Sequence, residues 1–218
     1  MANTSRIFGF RPVRYLNGAA YNGQAQTYGF SASDTNACFK GDVVAFDSTN
    51  RSTALTDAFV PGVQLISAKV AAFTTGAFRG IAVGFYAQPE FSQNSQASLG
   101  LLYRVASTAR YALVIDDPMV VFEVEESGNS YTSASSNGLN KTTDIGYSAG
   151  NTTTGISGVV IAGAGFQTAA GRPFRALRYT QRVDNFNFTA SDANSRAHFD
   201  VIMANSDLVQ AVGTNFGA

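Results

Sequence analysis

The side chains that could carry chemistry in this sequence are few and scattered. His198 is the single histidine and Cys38 the single cysteine. A Ser-His-Asp triad would need His198 as its base, yet no Gly-x-Ser-x-Gly elbow supplies the nucleophile. His198 sits between Ala197 and Phe199 at an alternating position, so a structural or surface histidine is the simpler reading. Cys38 lies in Asn-Ala-Cys-Phe-Lys, and a buried small hydrophobe is the ordinary state of a lone cysteine. Lys40 could lower its pKa, but nothing else supports nucleophilic chemistry.

The densest group of carboxylates is Asp116, Asp117, Glu123, Glu125 and Glu126. Two of them could form a glycosidase pair or bind Ca²⁺. The spacing matches no EF-hand loop. Asp116-Asp117-Pro118 reads as a turn, and Glu123 with Glu125 reads as the solvated face of a strand. An interface role, against an arginine of a neighbouring copy, suits these acids better. One histidine and one thiol cannot build a Cys/His zinc site. No phosphate-cradling Gly-x-x-x-x-Gly-Lys loop is present, and Gly163-Ala-Gly165 lacks the rest of a dinucleotide fingerprint. The expectation is a protein with no catalytic residues, no metal and no cofactor, and therefore not an enzyme.

Composition points the same way. The 218 residues carry 15 Lys+Arg against 15 Asp+Glu, a formal net charge of zero, which disfavours direct binding to nucleic acid. No apolar run is long enough to span a membrane or act as a signal peptide, so the chain is expected to stay in the compartment where it is made. One cysteine excludes a disulfide scaffold. Length suggests one domain, two at most.

The elements that must position these residues read as strands. Glu is present only 4 times and Lys 3 times, too few for ordinary helix surfaces, while 17 Phe and 21 Gly suit short strands joined by turns. The fold class expected is all-β, an antiparallel β-barrel or sandwich. Arg110–Ile115 is apolar on both faces, which marks a central strand, and 119–126 alternates Val120, Phe122 and Val124 against Val121, Glu123 and Glu125. The two are expected to pair as a hairpin across Asp116-Asp117-Pro118. Further strands are expected within 42–47, 78–85, 158–162, 174–183 and 196–203. Residues 64–73 are ambiguous between helix and strand, and 127–140 and 148–157 read as loops.

Residues 1–33 differ from the body at 34–218. They hold Arg6, Arg11 and Arg14 and no acid, with Phe8, Phe10, Tyr15, Tyr21, Tyr28 and Phe30 interleaved among Gly, Asn and Gln. Pro12 prevents a helix and keeps the segment out of a sheet interior. An extended N-terminal arm is expected, and two readings stay open. It can pack on its own domain as a first edge strand. It can also add as a strand to a partner, with Arg6, Phe8, Phe10, Arg11, Arg14 and Tyr15 as the contact residues. Arginine outnumbers lysine 12 to 3, a bias that suits fixed planar contacts.

The opening Ser-Arg-Ile-Phe-Gly-Phe-Arg-Pro-Val-Arg-Tyr-Leu-Asn-Gly (5–18) with Tyr21-Asn22-Gly23-Gln24 resembles the start of a group of tailed-bacteriophage virion proteins. So do Ala106-Ser-Thr-Ala-Arg-Tyr-Ala-Leu-Val-Ile-Asp-Asp-Pro (106–118), Val-Phe-Glu-Val-Glu (121–125) and Gln181-Arg-Val-Asp-Asn185. Those proteins are small head components, the capsid cement or decoration proteins. The resemblance implies a structural protein on the outer surface of the icosahedral head, made in the host cytoplasm. It implies that the major capsid protein is its partner, that it forms a homo-oligomer, commonly a trimer, and that it bridges capsomers against internal pressure. An arm in that setting would add a strand to the capsid protein. The alternative is a virion-associated carbohydrate-binding or hydrolysing module of a tail or fibre, in which exposed aromatics and carboxylates grip sugars. A cellular β-sandwich adhesin would need secretion, for which the N-terminus offers no signal.

Overall fold

The structure, a computed structural model, describes residues 5–47, 60–65, 78–86, 101–127, 138–162, 166–168, 172–182 and 196–208. The elements among these residues are all strands. They are β1 (Arg11–Tyr15), β2 (Gln26–Phe30), β3 (Cys38–Phe39), β4 (Val43–Phe46), β5 (Gly62–Leu65), β6 (Gly80–Tyr86) and β7 (Tyr103–Arg104). There follow β8 (Arg110–Ile115), β9 (Val120–Glu125), β10 (Thr142–Thr143), β11 (Ile145–Gly146), β12 (Val160–Ile161), β13 (Phe174–Tyr179) and β14 (His198–Met203).

Five strands close a barrel in the order β2-β5-β4-β6-β8. Its one parallel pair is β2 with β5; the other pairs are antiparallel. A second sheet, ordered β1-β9-β14-β13-β10, is antiparallel throughout. The fold is thus all-β, with a closed barrel and a sheet beside it.

Strand alternation explains how the two layers share the apolar side chains. Val44, Ala82, Ala112 and Val114 point into the barrel, where they meet Tyr28, Phe30, Val63, Leu65 and Phe85. Their neighbours Val43, Ala45, Ile81 and Ile115 point outward and pack on Phe122, Val124, Phe174, Phe199 and Val201 of the sheet. Strands with two apolar faces are needed wherever a barrel wall is also covered from outside. That is the arrangement at β8, which lies between β2 and β6.

The 110–126 hairpin does not form. β8 pairs with β2 and β6, whereas β9 pairs with β1 and β14. Asp116-Asp117-Pro118 does turn the chain, but the turn does not fold β9 back onto β8. Met119 N–H donates to Asp117 Oδ1 at 2.8 Å, while the Tyr28 hydroxyl donates to Asp116 at 2.7 Å and ties that end to the barrel. The turn is a corner that hands the chain from one layer to the next.

Residues 5–33 pack within the chain, which is the first of the two readings left open above. β1 pairs with β9, and β2 is a barrel strand. Phe10 is 2% exposed and stacks on Phe174 with ring centroids 4.3 Å apart. Its N–H donates to Gly41 O at 3.0 Å. Gly9 and Gly41 make this crossing possible. Both have positive φ, and a Cβ on Gly9 would stand 2.7 Å from Gly41 O.

Of the remaining expectations, 64–65 belong to β5, and 66–73 lie outside the described residues, as do 128–137 and 163–165. The 148–157 tract is a closed turn: Asn151 Oδ1 accepts from Thr153 and Thr154 N–H, and Asn151 N–H donates to Ile156 O.

Candidate interaction face: arginines over a carboxylate row

One face of the larger sheet holds the core and the other is charged. Directly opposed residues on neighbouring strands share a face. Register therefore builds the row Arg11–Glu123–Asp200–Arg178 across β1, β9, β14 and β13. The next row is Arg14–Val121–Ile202–Arg175. In each row arginine stands on β1 and β13, and the acids or apolar residues stand on β9 and β14 between them.

Two irregularities in the strands create this pattern. Residues three apart in a regular strand point to opposite faces. A register shift between Pro12 and Arg14 returns Arg14 to the face of Arg11. A second shift, between Ala176 and Arg178, does the same for Arg175 and Arg178. Both segments read Arg-x-x-Arg.

The acids are buried and the arginines cover them. Side chains of Glu123, Glu125 and Asp200 are 2%, 0% and 4% exposed, while Arg11 and Arg178 are 52% and 48% exposed. Glu123 takes Arg11 on Oε2 and Arg182 on Oε1, the latter at 2.5 Å. Asp200 Oδ2 accepts from Arg178 Nε at 2.8 Å and from Arg14 at 3.3 Å, and its Oδ1 accepts from the Thr180 hydroxyl at 2.9 Å. Glu125 accepts from the Ser5 hydroxyl at 2.7 Å and the Arg6 N–H at 2.5 Å, with Arg196 at 3.7 Å. Buried carboxylates are tolerable only when paired in this way; stripping one of its partner typically costs about 3–5 kcal/mol.

His198 lies between two of these acids, 3.8 Å from Glu123 and 3.8 Å from Glu125. Phe8 stacks on its ring with centroids 5.4 Å apart, and the Arg11 guanidinium lies 4.9 Å from the centroid of Phe8. The order Arg11, Phe8, His198 closes the N-terminal segment over the row.

The solvated-face reading of Glu123 and Glu125 is therefore overturned. The arginines that reach Glu123, Glu125 and Asp200 come from the chain itself. Of the six residues singled out in the N-terminal segment, Arg11 and Arg14 join the row, while Arg6 and Phe8 lie on Glu125 and His198. Phe10 turns into the core, and half-buried Tyr15 donates its hydroxyl to Asn22 and packs on Tyr21. Sequence reasoning missed Arg175, Arg178, Arg182, Arg196 and Asp200. The repeated Arg-x-x-Arg was the available signal.

A second buried polar group surrounds Cys38. Arg104 is fully buried, lies over the Phe30 ring at 4.8 Å, and donates to Thr108 O, Asn36 O, Ser31 O and Asp34 O. It pins the 31–36 loop and carries no open coordination. Burial pushes the Cys38 thiol well up, with nearby Asp42 adding to the rise, which is the opposite of an activated thiolate. Among the described residues no group of three or more His, Cys, Asp or Glu is placed to hold a metal ion, and no helix is long and apolar enough to cross a membrane. Comparison of the chain with protein-family models, with curated proteins and with solved structures finds no match.

Proposed function

We propose that this chain is a structural virion protein, a capsid cement or decoration protein. It attaches to the outer surface of an icosahedral head, bridges capsomers of the major capsid protein and stabilises them, as a homo-oligomer, most simply a trimer. It performs no catalysis in this reading and needs no cofactor. The observation that carries the reading is where the family-like stretches lie. Residues 5–24 contain β1, and 106–125 contain β8 and β9, so the two stretches meet in the β1–β9 pairing and supply a central strand to each layer. The resemblance thus falls on one connected unit of the fold. That unit carries Arg11 and Arg14 to the exposed side of the sheet beside the β1 edge, a surface suited to adhesion. Many modest contacts of this kind, repeated around an oligomer, add up through effective concentration.

The test is to locate the chain in intact particles by cryo-electron microscopy and to add purified protein to heads that lack it. Stoichiometric outer-surface density and a higher head-disruption temperature are expected. A protein absent from purified particles, or one that leaves head stability unchanged, overturns the reading. The carbohydrate alternative draws no support from Glu123 and Glu125, which lie beneath arginines with almost no exposed surface.

A further inference from the structure

The four arginines of the two Arg-x-x-Arg segments stand at the corners of a patch four strands wide and two side-chain rows deep. Ordinary strand spacing and rise make it about 14 Å by about 7 Å. We infer that this face docks an extended acidic segment of a partner protein, whose carboxylates sit on the corner arginines. The inference deepens the assembly reading above by giving the partner a chemistry.

Three features carry it. First, charge: among the described residues, the two rows set the four arginines Arg11, Arg14, Arg175 and Arg178 around two acids, Glu123 and Asp200, an excess of positive charge on a chain of zero formal net charge. Second, open donors: Arg11 uses one terminal nitrogen inward and Arg178 uses Nε, which leaves further N–H groups on half-exposed guanidinium forks. Arg175 is exposed and makes no ion pair among the described residues. Third, spacing: alternate side chains of an extended peptide lie about 7 Å apart on one side. The register places Arg11 and Arg14, and likewise Arg175 and Arg178, at that separation along the strands. Carboxylates match planar guanidinium forks in bidentate fashion. Nucleic acid fits less well, because its affinity rests on summed positive charge that this chain lacks as a whole.

The experiment measures fluorescence anisotropy of a labelled peptide, Ser-Glu-Thr-Glu-Thr-Glu-Ser, titrated with the full chain at low and high salt. A glutamine counterpart of the peptide and a single-stranded oligo-dT serve as comparison probes. Salt-sensitive binding of the acidic peptide alone is expected, weakened about three- to tenfold by Arg178→Gln and by Arg175→Gln. Arg175→Gln breaks no ion pair among the described residues, so its effect is separate from folding, which circular dichroism monitors. Arg110→Gln, on the barrel, should leave binding unchanged. Absence of acidic-peptide binding, equal binding by both arginine variants and the parent, equal loss with Arg110→Gln, or tighter binding of oligo-dT each overturns the inference. No heads enter this assay, so it and the capsid reading can fail separately.

Discussion

Replacing Asp42 by asparagine isolates a pH dependence of stability that the structure places on one side chain. Asp42 is fully buried where the N-terminal segment, the barrel and the 148–157 turn meet. Burial pushes its carboxyl from 3.8 up to about 6, although the Ser157 hydroxyl, the Phe39 N–H and the Cys38 thiol pull it back in part. The folded chain therefore holds this proton more tightly than the unfolded chain does. Well above pH 6 the folded state carries the full penalty of a buried carboxylate; it declines as pH falls through 6 and is gone well below 3.8. A rise of about 2 units corresponds to about 3 kcal/mol over the whole titration, so this group alone should lower stability by about 2 kcal/mol between pH 4 and pH 7. Asparagine keeps the shape and an oxygen to accept the Phe39 N–H, now made at 2.7 Å. The variant should gain relative to the parent as pH rises. Urea unfolding of both proteins at several values across that range gives the difference directly, and other titrating groups cancel. A difference that stays flat within about 0.5 kcal/mol would refute the assignment of the burial penalty to Asp42.

Other perturbations have equally definite outcomes. Arg104→Met removes the donors that hold the 31–36 loop and should destabilise the chain by about 3–5 kcal/mol in urea unfolding, since buried carbonyls lose their partners. Gly9→Ala must adopt φ near +69° and place its Cβ 2.6 Å from Ser157 Cβ, so a loss of at least about 2 kcal/mol is expected in thermal melts. Deleting residues 1–16 removes β1 and Phe10 from the core; about 3–5 kcal/mol should be lost, seen as a lower urea midpoint, and a weakened head interaction by that variant would reflect folding as well as contact. Arg11→Ala with Arg14→Ala leaves Glu123 to Arg182 and Asp200 to Arg178, so the double variant should remain folded by circular dichroism.

The sequence carried the fold class because it depends on local chemistry. Scarce Glu and Lys, alternating Val and Phe, and turn residues all act within a few positions. Strand positions were legible for the same reason, and β8, β9 and β14 fall where alternation puts them. Pairing was less legible. A turn sequence fixes that the chain bends at Asp116-Asp117-Pro118, but whether it bends back or turns a corner depends on which layers need the flanking strands. The charged face was hidden by a related limit. Glu123 and Glu125 alternate as surface residues do, and it takes Ser5, Arg6, Arg11, Arg182 and Arg196, from remote parts of the chain, to close them off. The bulges that align the arginines shift the two-residue period that makes strands readable at all.

The corner at 116–119 also governs the sequence of events during synthesis. All five barrel strands have been made once the ribosome passes Ile115. The neighbouring layer must wait, because β9 finds one flank in residues made near the start and the other in residues made near the end. Until His198–Met203 emerges, Glu123 and Glu125 have an open side and the barrel lacks its outer cover. Nascent chains halted before that point should expose the apolar outer wall and invite chaperone capture. Such long-range closure also makes spontaneous refolding slow.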